Sequence, residues 1–240
     1  MQRVGNGGSL NAQEQLFLSV VEQLSRPLLA LSRLSELAAG DPALAAGEWP
    51  VAHALAESSL QLVEGYALGL RVQGRVTPLA LEPVTVSSLL YDTAEQLKPL
   101  ARQYGVRLEV DAGPRTLPVL ADRAVLQAAF ESLGQVFVAA QAEAEAPGSV
   151  RLMAHRSRYG VVAGLYGDTT QLNADSLRRA QAVRGRARQP LQQLVSGPAA
   201  GVFVADNLLR TLEAHLHVAR YHRLNGLAAT LQPSHQLQLV

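Results

Sequence analysis

From Asn11 to about Ala39, apolar side chains return every three or four residues: Leu16, Val20, Leu24, Leu28, Leu31, Leu34 and Leu37. That spacing predicts an amphipathic helix. Gly40-Asp41-Pro42 carries stop signals. A second stripe predicts a helix from about Glu48 to Val72, with Val51, Leu55, Leu60, Val63, Ala67 and Leu70 on one face. Two such helices with a short break form a helical hairpin. Its stripes, through Leu24, Leu28, Leu31 and Leu55, are wider than one hairpin can bury, so two copies are expected to pair as a four-helix bundle. The alternative is a hairpin packed on its own chain.

After residue 75 the pattern changes. Val76–Val84 reads as extended and proline-punctuated. An amphipathic helix follows over Ser87–Tyr104, then a strand at Val106–Val110, a loop, and a helix from about Asp122 to Ala140. The remainder predicts strands at Val150–Ala154 and Val161–Tyr166, a polar loop and a short helix near Ala174–Ala182. A helix Val202–His215 and strands near His217–Tyr221, Leu227–Leu231 and Leu237–Val240 complete the chain. Helices interleaved with consecutive strands predict an α+β layer, a mixed sheet covered by helices on one face. The organisation is therefore residues 1–10 as a disordered Gly/Ser/Asn-rich lead-in, 11–75 as the hairpin, and 76–240 as the α/β domain.

Composition narrows the function classes. The 240 residues can hold two small domains, each with a core. A net charge of +1 argues against a bulk nucleic-acid binder. The absence of cysteine excludes disulfides, thiolate metal sites and cysteine nucleophiles. No apolar run approaches the ~20 residues of a membrane span, and no signal-peptide pattern opens the chain, so a cytoplasmic protein without membrane contact is expected.

Residues 16–28, Leu-Phe-Leu-Ser-Val-Val-Glu-Gln-Leu-Ser-Arg-Pro-Leu, resemble the phosphoacceptor helix of bacterial sensor histidine kinases. That motif runs Phe-Leu-x-x-(Val/Ile)-Ser-His-Glu-Leu-Arg-Thr-Pro-Leu. Val20, Leu24, Pro27 and Leu28 fall in register. Glu22 stands where the family has its phosphorylated histidine, and Gln23 where it has the acidic general base. Further stretches follow the family order: Leu81-Glu82-Pro83-Val84 with Leu89-Leu90; Leu97-Lys98-Pro99-Leu100-Ala101 with Gly105-Val106; Val119-Leu120-Ala121-Asp122-Arg123 with Leu126; and Leu212-Glu213-Ala214-His215 as the close of the final long helix. Asp122 suits an N-cap. The resemblance spans about Gln15 to Val240. It implies a dimerisation hairpin followed by an ATP-binding domain of the Bergerat type.

The family's nucleotide motifs are degenerate here. Its asparagine box, Asn-Leu-x-x-Asn-Ala, aligns with Ser132-Leu133-Gly134-Gln135-Val136-Phe137, so Ser132 and Val136 occupy the asparagine positions. Valine cannot ligate Mg²⁺, which takes hard oxygen donors. The first glycine box, Asp-x-Gly-x-Gly, becomes Gly167-Asp168-Thr169-Thr170-Gln171-Leu172. Asp168 is the remnant of the adenine reader, or a turn aspartate. The second box, Gly-x-Gly-Leu-Gly, becomes Gly197-Pro198-Ala199-Ala200-Gly201, with Gly197 and Gly201 kept. Those two are loop and helix-start residues, or the remnant of a phosphate cradle.

The resemblance therefore implies a pseudokinase: no catalytic residue, no metal, no ATP–Mg binding, homodimerisation, and a response-regulator receiver-like protein as partner. Two alternatives stand beside it. One is a phosphotransferase using His53 as a displaced acceptor; the other is a kinase that binds ATP through a redesigned site. Arg178, Arg179, Arg184, Arg186 and Arg188 fall where the ATP lid would be, as a solvated lid or a surface for an anionic partner.

Overall fold

The computed structural model describes residues 28–29, 31–40, 42–113, 117–142, 148–168, 172, 177–178 and 199–234. Glu22, Gln23, Gly197, the lead-in 1–10, the predicted strand 237–240 and the basic residues beyond Arg178 lie outside them. We label helix α1 as residues 31–40, α2 as Pro42–Gln73, α3 as Val86–Gln103, α4 as Arg123–Ala142 and α5 as Ala199–Thr211. The strands are β1 Glu82–Val84, β2 Arg107–Ala112, β3 Val119–Ala121, β4 Ser149–Ser157, β5 Gly160–Gly167, β6 Leu216–Tyr221 and β7 Leu224–Leu231.

The chain is α+β. Five strands form a mixed sheet in the order β2-β4-β5-β7-β6. β2 and β4 are parallel, and the other neighbours are antiparallel. β1 and β3 make a separate antiparallel ribbon. One sheet face carries Leu152, Ala163, Leu165, Leu227 and Ala229, which join the main core. Helices α3, α4 and α5 lie on that face, with α4 between the other two. Phe130, Leu133 and Phe137 of α4 are fully buried there. Successive side chains point to opposite faces, and the central strand β5 is buried on both.

Local chemistry sets the helix ends. Asp122 caps α4: its Oδ1 accepts from the Val125 amide at 3.2 Å, and its Oδ2 accepts from the Ala80 amide at 2.9 Å. The second bond ties the interdomain linker to the cap. Three helices close with the same pair of reversed backbone bonds, the Schellman motif. At the end of α3, Gly105 holds the left-handed position at φ 65°. After α2 that position is Arg75 at φ 55°, and after α5 it is Glu213 at φ 57°. The last case corrects an expectation. Leu212–His215 is the turn that follows α5 and not the close of the helix, because the Ala214 amide donates back to the Leu209 carbonyl at 3.0 Å.

α1 and α2 form a hairpin. Leu34 of α1 is buried against Ala52 of α2, with Leu31 and Ala38 beside them. α2 also reaches the second domain, packing on α4 and α5. Its buried positions there are Leu62, Gly65 and Gly69. The face through Leu60, Val63, Ala67 and Leu70 is left partly or fully open, and Leu60 is 57% exposed. The helix is thus two-sided. The leucine stripe was legible in the sequence, and the glycine-bearing stripe was not singled out.

Candidate functional site

Three of the sequence-selected residues meet where α2, α4 and α5 cross. Ser132 and Val136 lie one turn apart on α4, and each is 3% exposed. They face Gly201, in the first turn of α5. A Cβ built at Gly201 would stand 3.1 Å from the Ser132 carbonyl oxygen and would overlap Val136 Cγ2 outright. Val136 therefore fills the space in front of Gly201, and α4 and α5 touch through it. A Cβ built at Gly65 of α2 would lie 3.5 Å from Ser132 Oγ and 3.4 Å from Val204 Cγ1. The serine sits between two glycines on two different helices.

Polar bonds flank this apolar contact along the α2 seam. Gln135 Nε2 donates to Gln61 Oε1 at 2.6 Å, and Gln73 Nε2 donates to Asn207 Oδ1 at 2.5 Å. Between them Glu131 on α4 comes near Glu64 on α2. Burial pushes the Glu131 carboxyl above its ordinary range; a hydrogen bond from Gln127 pulls it back, and the Glu64 charge raises it further. The seam combines glycine-permitted closeness with paired amides and one repulsive carboxylate pair.

Asp168 is placed elsewhere. It is exposed, one residue beyond the end of β5. That end lies against the last turns of α4, since a Cβ on Gly167 would stand 3.5 Å from Phe137 Cδ1 and 3.4 Å from Gln141 Oε1. Gln141 is 3% exposed, and its Oε1 has no hydrogen-bond partner. Sequence reading passed over Gln141, Gln61, Gln73 and Gln135, because an isolated glutamine on a helix gives no periodic or motif signal. His53 stands on the open side of α2, with its side chain 75% exposed and Nε2 3.8 Å from Glu57 Oε1. Among the described residues no three His, Asp or Glu side chains converge on a point that could hold a metal ion. No helix among them is long and apolar enough to cross a membrane.

A cleft of about 550 Å³ opens on another side, where α2 ends and α5 finishes. Gln73, Arg75, Thr77, Arg210 and Thr211 contribute its polar lining.

No family model and no curated protein sequence matches the chain. Solved structures do. The histidine kinase AdeS of Acinetobacter baumannii superposes with a TM-score of 0.58 at 12% identity, covering 88% of this chain and 97% of that one. Full-length ShkA, solved in complex with AMPPNP, superposes with a TM-score of 0.55 at 20% identity, covering 94% of this chain and 47% of that one. At these identities the likeness is one of fold, and it extends over the hairpin and the α/β domain together. The chain has the fold of a histidine-kinase core, a helical hairpin joined to an ATPase-like domain.

Proposed function

We propose that this chain is a catalytically inactive, histidine-kinase-like signalling protein of the cytoplasm. It works by pairing with a second copy and by docking a receiver-domain-like protein. The observation that carries the reading is Val136 buried against Gly201. The resemblance puts a metal-ligating asparagine at position 136 and a phosphate-facing glycine at 201. Phosphoryl transfer from ATP depends on Mg²⁺ and on donors around the phosphates. A valine side chain has no donor for the ion and occupies the space before the glycine. Ser132, Val136 and Gly201 do not fit an ATP–Mg complex. Glu22 and Gln23 replace the acceptor and its base, which supports the same conclusion from the other domain.

Exposed side chains support homodimerisation. Leu28, Leu29, Trp49 and Leu60 on the hairpin are each more than half exposed. Large apolar groups concentrated on two adjoining helices mark an interaction face. A second hairpin offers the matching face of a four-helix bundle.

The deciding experiment is calorimetric titration with ATP–Mg²⁺. The expected result is no binding below millimolar, and a micromolar dissociation constant would remove the pseudokinase reading in favour of a divergent ATP-binding kinase. A phosphotransferase reading is favoured by one observation, the open His53 with Glu57 beside it. Incubating the chain with a phosphorylated receiver domain tests it. Label that transfers to the parent but not to His53→Gln would establish that reading and displace the inactive one.

A further inference from the structure

A cleft opens beyond the α2–α5 seam, apart from the exposed Leu28, Leu29, Trp49 and Leu60 of the hairpin. Its volume of about 550 Å³ falls within the range of small-molecule sites. Two arginines from distant parts of the chain line it: Arg75, in the turn after α2, and Arg210, in the last turn of α5. Thr77 adds a hydroxyl, the Thr211 hydroxyl is turned to the Leu208 carbonyl at 2.7 Å, and Val72 and Leu79 add apolar surface. No Asp or Glu is among the lining residues.

The fold anchors the Arg210 guanidinium and fixes the backbone that carries Arg75. Arg210 Nε donates to Asp206 Oδ2 at 2.8 Å, and that carboxylate is 5% exposed. A guanidinium has five N–H donors, and this bond engages the one at Nε while orienting the plane. Arg75 is placed by its backbone. The Val76 amide donates to the Arg71 carbonyl at 2.9 Å, and the Arg75 amide to the Val72 carbonyl at 3.1 Å. The left-handed position that these bonds create is normally a glycine. Gly74 comes one residue too early to fill it, so an arginine takes the strained conformation at φ 55°. Among the described residues Arg75 has no ion pair.

We propose that this cleft binds a small phosphorylated organic molecule. Its phosphoryl group sits between Arg75 and Arg210 within reach of the Thr77 hydroxyl, and its apolar part lies against Val72 and Leu79. A phosphoryl group suits the site better than a carboxylate, because its three oxygens and up to two charges answer two guanidiniums and the Thr77 hydroxyl. The inference goes beyond the signalling reading and stands or falls apart from it. Gln73 also lines the cleft while bonding Asn207, so an occupant touches the seam that joins hairpin to domain.

The test is calorimetry on the full chain with phenyl phosphate, with phenol and inorganic phosphate as the two half-ligands. Phenyl phosphate is expected to bind at roughly 0.1–1 mM and at least about tenfold more tightly than either half. Arg75→Gln, at an exposed position, should weaken it about tenfold or more. Arg210→Gln should weaken it too, but it also breaks an ion pair with a buried carboxylate, so Arg75→Gln carries the weight. Arg220→Gln on β6 removes the same charge away from the cleft and should leave binding unchanged. Three results would each overturn the proposal: no binding up to ~10 mM, equal losses in Arg75→Gln and Arg220→Gln, or inorganic phosphate binding as tightly as phenyl phosphate.

Discussion

Adding one methyl group at Gly201 tests the closed α4–α5 contact. Alanine is the better helix former, by up to about 1 kcal/mol, so Gly201→Ala would stabilise the protein if the site were open. The structure predicts the reverse. The new Cβ would overlap Val136 Cγ2 and lie 3.1 Å from the Ser132 carbonyl oxygen. One neighbour is a β-branched side chain and the other is backbone, and neither yields easily. Overpacking of this kind costs about 1–3 kcal/mol, which exceeds the propensity gain. Gly47→Ala in α2 is the internal reference, because a Cβ there has nothing within 4 Å; it should gain up to about 1 kcal/mol. Val136→Ala alone removes two buried methyl groups and should cost about 1.5 kcal/mol or somewhat more. The double variant Gly201→Ala/Val136→Ala puts one methyl back into that space. It should therefore be more stable than the sum of the single effects, by about 1 kcal/mol. Urea denaturation of the four variants reads all of this from shifts in midpoint at constant slope. If Gly201→Ala proved as stabilising as Gly47→Ala, the space before Gly201 would be open, and the case against a nucleotide there would lose its structural support.

The hairpin pairing predicts a homodimer at micromolar concentration by light scattering, converted to a folded monomer by Leu60→Glu, since Leu60 is already exposed within one chain; a parent that is monomeric throughout would refute it. Glu131 holds its proton more tightly in the folded chain than at its ordinary value of 4.5. Stability should accordingly be full below that value and fall as pH rises through the higher folded-state value, so Glu131→Gln should raise Tm near neutral pH and change nothing near pH ~4; a lower Tm at neutral pH would contradict this. Gly69→Val should loosen α2 from α5, because a Cβ there already comes within 3.3 Å of Asn207 Nδ2, and hydrogen exchange should speed up over residues 61–73 without change in β4 or β5. If Glu22 belongs to the docking surface for receiver domains, Glu22→Ala and Glu22→Lys should both weaken that binding; parental affinity in both would end the idea that Glu22 imitates a phosphohistidine.

Local patterns carried much of the fold. Short apolar strands such as Val150–Ala154, the Asp122 cap and the leucine period of α2 are statements about neighbouring residues, and neighbouring residues are what a sequence displays. The ends of elements were less legible. Arg75 and Glu213 take left-handed positions that usually announce themselves as glycine, so the close of α5 was read four residues late. Ser132 and Val136 of the α4–α5 crossing were singled out only because the resemblance sets them against residue types with a known chemical use. What only the tertiary structure decided is what these residues touch. That Val136 meets Gly201, that Gly65 and Gly69 bring α2 against Ser132 and Asn207, and that Arg75 and Arg210 line one cleft all depend on helix crossings between segments far apart in sequence. Periodicity fixes which face of a helix is apolar. It does not say which partner covers that face, because any complementary surface of the right shape removes the same area from water.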